Sequence, residues 1–186
     1  SQRKAAEEQI HKLAYYDPLT ELPNRWLLMN RLEQTQIARA RDMNEGALPF
    51  IDLDNFKTLN DTQGHDAGDV LLRQVAQRLT HCVREGDTVA RLGGDEFVVM
   101  LAGLGVVEAT AVMAAEIVGE KILTALSQPY QIGHHDYRST PSIGITLFGG
   151  GRAEPIEEPL KRADLAMYQA KAAGRNTCRT APVGQL

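Results

Sequence analysis

Asp52 and Asp54 in "FIDLDNFK" stand two residues apart, so in a strand both point to one face. Two carboxylates that close repel unless something positive relieves them. A hard divalent ion with oxygen ligands, such as Mg²⁺, would do so. The structural alternative is that Asp54 caps the following turn and Asp52 is solvated. Further on, "RLGGDEFVVM" places Asp95 and Glu96 directly after Gly93 and Gly94. Adjacent strand residues face opposite ways, so only one of these acids shares a face with Asp52, and spacing leaves open which. The glycines let a phosphate approach the backbone, and they equally suit a plain hairpin with solvated acids.

Three further groups carry chemistry. In "NDTQGHDAGD" the Asn60 amide can donate and accept, and Asp69 can accept two hydrogen bonds. Together they suit a purine edge, with Asp69 taking an N–H pair of guanine. They also suit a polar loop in which Asp66 or Asp69 caps the next helix and His65 makes a structural hydrogen bond. In "KAAGRN" Lys171 and Arg175 stand at i and i+4 across a helix end, where cations complement the dipole and would also hold a triphosphate. Lys57, just after the acidic strand, is a third such cation. In "REGD", residues 84–87, Arg84 and Asp87 form either a local ion pair in a surface turn or a fork that clamps guanine or phosphate.

These residues need elements to position them. "SQRKAAEEQIHKLAYY" reads as a charged helix whose Ala6, Ile10 and Leu13 form a short heptad seam. The prolines of "DPLTELPNR" interrupt it, and Asn24 fits as N-cap of a second helix over about 25–41, with Leu28, Leu32 and Ile37 inward. Gly46 opens a strand whose Pro49 lacks a donor, which points to an edge strand or a strand's first residue. "AGDVLLRQVAQRLTHCV" is the clearest helix, with Leu71, Val75 and Leu79 spaced by four and Leu72 and Ala76 beside them. "DTVARL" and "EFVVML" pair across Gly93-Gly94. A helix over 106–126, a hairpin with a longer strand in "PYQIGHHDYRSTPSIGITLF", and a last helix ending at Gly174 complete the pattern. Hairpins interrupt any βαβ period, so a mixed, mostly antiparallel sheet with packed helices is expected.

At 186 residues with 43% hydrophobic and 24% charged composition, the chain fits one domain with a short appendage and a real core. The net charge of −4 argues against a nucleic acid polymer as partner. Cys82 and Cys178 fit no metal spacing and read as thiols of a reducing cytoplasm. No apolar run suits a membrane helix. Ser1 in place of an initiator Met reads as the start of a fragment, so an anchor or sensor could lie outside it.

"LAYYDPLTELPNR", "FIDLDNFKTLNDTQGHDAGD", "RLGGDEF" and "DLAMYQAKAAGRN", in this order, resemble the GGDEF family of diguanylate cyclase catalytic domains from about Leu13 to Cys178. The resemblance implies an α+β fold like the nucleotide-cyclase palm, a ferredoxin-like core whose central, mostly antiparallel five-stranded sheet is surrounded by helices. It implies condensation of two GTP into cyclic di-GMP with release of two pyrophosphates, using Mg²⁺ or Mn²⁺, two ions per site. Asp52 and the Leu53 carbonyl would hold metal. Asp95 would be metal ligand and general base, with Glu96 a second acid near the other ion. Asn60 and Asp69 would read guanine, with His65, Gly93 and Gly94 also against the nucleotide. Lys57, in a catalytic role, Lys171 and Arg175 would hold phosphates. Arg84 and Asp87 resemble an inhibitory product site, separated from Gly93 by five residues.

On this likeness residues 1–14 are a connector helix, 15–179 the domain and 180–186 a tail or linker. A cytoplasmic homodimer is expected, one GTP per half-site, joined to sensor or EAL phosphodiesterase domains beyond the fragment. The rival expectation is a catalytically weak domain that binds GTP or cyclic di-GMP and regulates a neighbour. Pro49, where an aliphatic residue would be expected, and the glycine-rich "GITLFGGGRAEP" depart from the pattern.

Overall fold

Strand β1 (Glu45–Leu53) is apolar on both faces, and only Asp52 in it is not fully buried. Such a strand belongs inside a sheet covered on two sides. The computed structural model, which describes residues 1–183, places it there. The sheet order is β2 (Thr88–Gly93), β3 (Glu96–Met100), β1, β6 (Pro141–Gly149) and β7 (Thr177–Thr180), antiparallel throughout except for the β6–β7 pair. A separate hairpin, β4 (Tyr130–Ile132) with β5 (His135–Tyr137), stands beside it.

The expectation for Pro49 is corrected: it lies mid-strand in the central strand, opposite Ile145 of β6. The Ala47 and Leu53 amides both donate toward the β3 side, to Leu101 and Asp95. By alternation the missing Pro49 donor falls on that side too. The β1–β3 ladder is interrupted there, between the Ala47–Leu101 bridge and the Phe50–Val98 pair. The β6 side is undisturbed, because its donors come from even-numbered residues of β1. One lost ladder bond, set against an unbroken nine-residue register with β6, keeps the strand central.

Side chains of β1 alternate between two cores. Ala47, Ile51 and Leu53 meet α3 (Phe56–Gln63), α4 (His65–Cys82) and α5 (Glu108–Leu126) through Leu59, Leu71, Val75, Leu79 and Ile122. Leu48 and Phe50 meet α2 (Arg25–Arg39) and α6 (Glu158–Ala172) through Leu28, Leu32, Leu160 and Met167. Burying each of these side chains larger than alanine contributes roughly 1.5–3 kcal/mol. On the α6 side the approach is close: a Cβ on Gly144 of β6 would run into the α6 backbone at Met167 N and Ala163 O.

Two local expectations change. Asn24 caps α2 by accepting from Leu27 N, but Ile37 is 65% exposed and the helix ends at Arg39. The polar stretch expected as a loop is instead two helices joined at Gly64, with Asn60 in α3 and Asp69 in α4. Gly64 has φ +87°, which breaks the helix without costing the short α3 its polar face. Helix α1 (Gln2–Tyr15) buries no residue and sets the Tyr15 ring, tilted by 54°, against Trp26 at its end. Of the expected 180–186 tail, residues 184–186 lie outside the described residues. No helix among the described residues is long and apolar enough to cross a membrane.

Candidate active site

Even-numbered residues of β1 face α6, so Asp52 points to that side at the strand's end. Its cross-strand partner is Glu96. Asp95 precedes β3 rather than lying in it, so strand alternation does not bind its direction. Its carboxyl lies near enough to Asp52 to raise that residue's pKa. The choice between the two acids that periodicity posed therefore dissolves, since both converge on Asp52, one across the strands and one from the turn. Lys171 Nζ, at the end of α6, lies 3.1 Å from Asp52 Oδ1.

Burial, then Asp95, pushes the Asp52 carboxyl up to about 7, against the pull of Lys171. Glu96 is raised by burial and by the charges of Asp52 and Asp164, with Arg25 and Lys171 opposing. Asp164 is raised by burial and Asp52, with Arg25 opposing. Four acids thus gather where Lys171 and Arg25 are the cations that oppose their charge. Asp52 Oδ1 is buried against the Lys171 ammonium. Two cations against four acids leave an excess of negative charge. Among the described residues no three His, Cys, Asp or Glu side chains converge to hold an ion alone. Two carboxylates with the Leu53 carbonyl, completed by substrate phosphates, is a donor set that suits Mg²⁺.

Asp54 lies outside this cluster. It is 2% exposed, and its carboxylate accepts from Ser142 Oγ at 2.7 Å, Thr140 Oγ1 at 2.6 Å and Asn176 N at 3.1 Å. It ties the end of β1 to β6 and to the turn after α6. Gly174 ends α6 with φ +113° in a pattern where its N–H meets Lys171 O and that of Arg175 meets Ala170 O. Asp54 therefore helps fix where Lys171 and the exposed Arg175 are presented.

The glycine turn is held from below. Arg91 donates to Gly94 O through Nε at 3.0 Å and Nη2 at 2.8 Å. Its Nη1 lies 2.8 Å from Asp17 Oδ1, with both side chains only 13% exposed. The segment between α1 and α2 thus clamps the turn that carries Asp95. A Cβ on Gly93 or Gly94 would meet nothing within 4 Å, so the turn is open to a ligand. Asp17, Arg25, Arg91 and Asp164 escaped the sequence reading. Asp164 stands seven residues before Lys171, the spacing of one helical face, which is the signal that could have found it.

The remaining expected residues sit around this centre or away from it. Lys57 is exposed on the first turn of α3, and His65 is exposed at the start of α4. Asn60 lies in α3 with its amide against Gly68 of α4, the residue before Asp69. Arg84 and Asp87 lie elsewhere, between α4 and β2. Asp87 is turned inward, accepting from Arg84 N at 3.0 Å, while Arg84 is 67% exposed and donates to Ala102 O.

Fold and site together define a class: an α+β domain whose central strand ends in paired carboxylates beside an open glycine turn, suited to a metal-bound polyphosphate. The chain belongs to the family described as "Diguanylate cyclase, GGDEF domain", whose model matches residues 14–177. It is 46% identical over 171 residues to the bifunctional diguanylate cyclase/cyclic di-GMP phosphodiesterase MucR of Pseudomonas aeruginosa, covering 92% of this chain and 24% of that protein. It is 35% identical over 175 residues to the cyclic di-GMP phosphodiesterase NbdA of the same organism, covering 94% and 21%. The GGDEF domain of PA1120 (TpbB or YfiN) from P. aeruginosa superposes with a TM-score of 0.84 at 36% identity, covering 91% of this chain and 95% of that one. The chain spans about a quarter or less of the curated relatives named here.

Proposed function

We propose that this domain condenses two GTP molecules into cyclic di-GMP, releasing two pyrophosphates. The observation that carries the reading is the Asp52–Asp95 pair, short of positive charge and set beside the open Gly93-Gly94 turn. Mg²⁺ or Mn²⁺, two ions per site, held by Asp52, the Leu53 carbonyl and Asp95 with Glu96 nearby, would supply charge neutralisation for the triphosphate. A triphosphate adds about four negative charges to a cluster that already holds four acids, so cations govern whether it can enter. Lys171, 3.1 Å from Asp52, would serve that, with the exposed Arg175 and Lys57 as further cations. Asn60 and Asp69 are the pair suited to guanine.

The chain's own groups then serve phosphoryl transfer by positioning more than by covalent chemistry. A 3′-hydroxyl must approach an α-phosphate in line. Asp95, on the turn fixed by Arg91, is the candidate to take its proton. The product joins two nucleotides head to tail while each domain offers one such site, so a two-fold homodimer with one GTP per half-site meets the geometry. Arg84 and Asp87 would bind product as an inhibitor. For that, Arg84 is exposed, whereas Asp87 must first leave its local hydrogen bonds. The names of MucR and NbdA favour a neighbouring phosphodiesterase domain, of EAL type on this reading, in a full protein that would also carry a sensor and be cytoplasmic at this end.

A second reading is a weak cyclase that binds GTP or cyclic di-GMP to regulate such a neighbour. The resemblance to NbdA, named as a phosphodiesterase, is what supports it. Incubation with GTP and Mg²⁺ or Mn²⁺, followed by chromatography, separates the two. Cyclic di-GMP and pyrophosphate from the wild type, and neither from Asp95→Ala, supports catalysis. GTP binding without product supports the regulatory reading.

A further inference from the structure

Gly68 lies in the first turn of α4, where alanine would serve the helix better. It has no left-handed φ to excuse a glycine. What it lacks is space: a Cβ there would stand well inside van der Waals contact with Asn60 Oδ1, 3.1 Å from Asn60 Cγ and 3.2 Å from Phe56 Cζ. Asn60 Oδ1 is buried, yet it accepts no hydrogen bond among the described residues. A buried amide oxygen left unpaired is costly, and no partner among the described residues offsets that cost. The amide is held over Gly68 by shape alone, next to Asp69 on the same turn of α4.

We propose that Gly68 is a specificity-determining residue: the missing Cβ is the seat of the Asn60 amide and sets its pose toward the base of the bound nucleotide. This rests on the reading of Asn60 on α3 and Asp69 on α4 as the guanine site. The obstructing atoms belong to side chains, not to backbone, and the nearest by far is the Asn60 amide oxygen, with the Phe56 ring end at 3.2 Å. An added methyl is therefore met by Asn60 swinging aside while the helices stay put. The fold survives and base recognition does not. Phosphate binding, carried by Lys171 and the acid pair at the strand ends, is a separate set of contacts.

The test compares wild type, Gly68→Ala, Asn60→Ala and the double variant by equilibrium binding of GTP and of inorganic tripolyphosphate, each with Ca²⁺, alongside thermal melts. Asn60→Ala is expected to weaken GTP binding roughly 10- to 100-fold, the size of one lost buried hydrogen bond. Gly68→Ala is expected to match it, to leave tripolyphosphate affinity unchanged and to melt no lower than wild type. The double variant should bind GTP no more weakly than Asn60→Ala. Additive losses overturn the proposal. So does a Gly68→Ala protein that binds GTP normally while Asn60→Ala does not, and so does equal weakening of tripolyphosphate. If Asn60→Ala itself binds GTP like wild type, the guanine reading of Asn60 and Asp69 fails and takes the proposal with it.

Discussion

The raised Asp52 carboxyl makes a quantitative demand on stability. Without a bound cation, the folded protein holds the Asp52 proton until about pH 7, whereas the unfolded chain releases it near 3.8. The sign follows from linkage. Between those values the unfolded state binds fewer protons than the folded one, so stability falls as pH rises, and the full loss stands above pH 7. A displacement from 3.8 to about 7 corresponds to ~4 kcal/mol at ~1.4 kcal/mol per pH unit. Water at the open side of the site screens part of this, so about 2 kcal/mol is the working figure. Asp52→Asn removes the penalty. Its melting temperature should exceed that of the wild type by about 4–8 °C at pH 8 for a chain of this length, with the gap closing toward pH 4–5. Excess Mg²⁺ should raise the wild type at pH 8 and leave the variant nearly unmoved, because the ion answers the same repulsion. Differential scanning calorimetry across this pH range, with and without Mg²⁺, makes the measurement. A pH-independent gap, or an Asp52→Asn protein less stable than wild type at pH 8, would refute the electrostatic account of the site.

Asp17→Asn or Arg91→Met breaks a largely buried pair and should cost about 2–4 kcal/mol in urea denaturation. It should also lower turnover at saturating GTP, because the Gly94 carbonyl loses its hold. A normal rate in a destabilised variant would restrict the clamp to folding. Gly144→Ala, unlike Gly68→Ala, sets a methyl against α6 backbone that cannot swing away, and a loss of about 3 kcal/mol or more is expected; an unchanged melting temperature would count against this seating of α6. Burial pushes the Cys178 thiol up to about 12, helped by Glu120 and Glu116, and raises Cys82 as well. A disulfide reagent at pH 8 should therefore titrate the native protein about 100-fold more slowly than the urea-unfolded chain. Two thiols titrated at once in the native state would contradict that.

The sequence by itself determined the periodic and the chemical parts of this protein. The α4 stripe of Leu71, Val75 and Leu79, the Asn24 cap and the strands flanking Gly93-Gly94 follow from local spacing and turn chemistry, which need no distant partner. The four motifs likewise named the family. Tertiary structure decided what spacing leaves degenerate. Pro49 argued for an edge, but the sheet spends its missing donor on one flank and keeps the other whole. Asp52 and Asp54 looked equivalent at two residues' separation. They part because β1 ends at Leu53, after which Asp54 turns to Ser142, Thr140 and Asn176 while Asp52 meets Asp95. Asp95 and Glu96 were alternatives on a strand, and both lie near Asp52 because the strand begins between them. Asp17 with Arg91, and Gly68 with Asn60, were silent in one dimension. Their roles are distances between segments, and a distance between segments is set only when the whole core has closed.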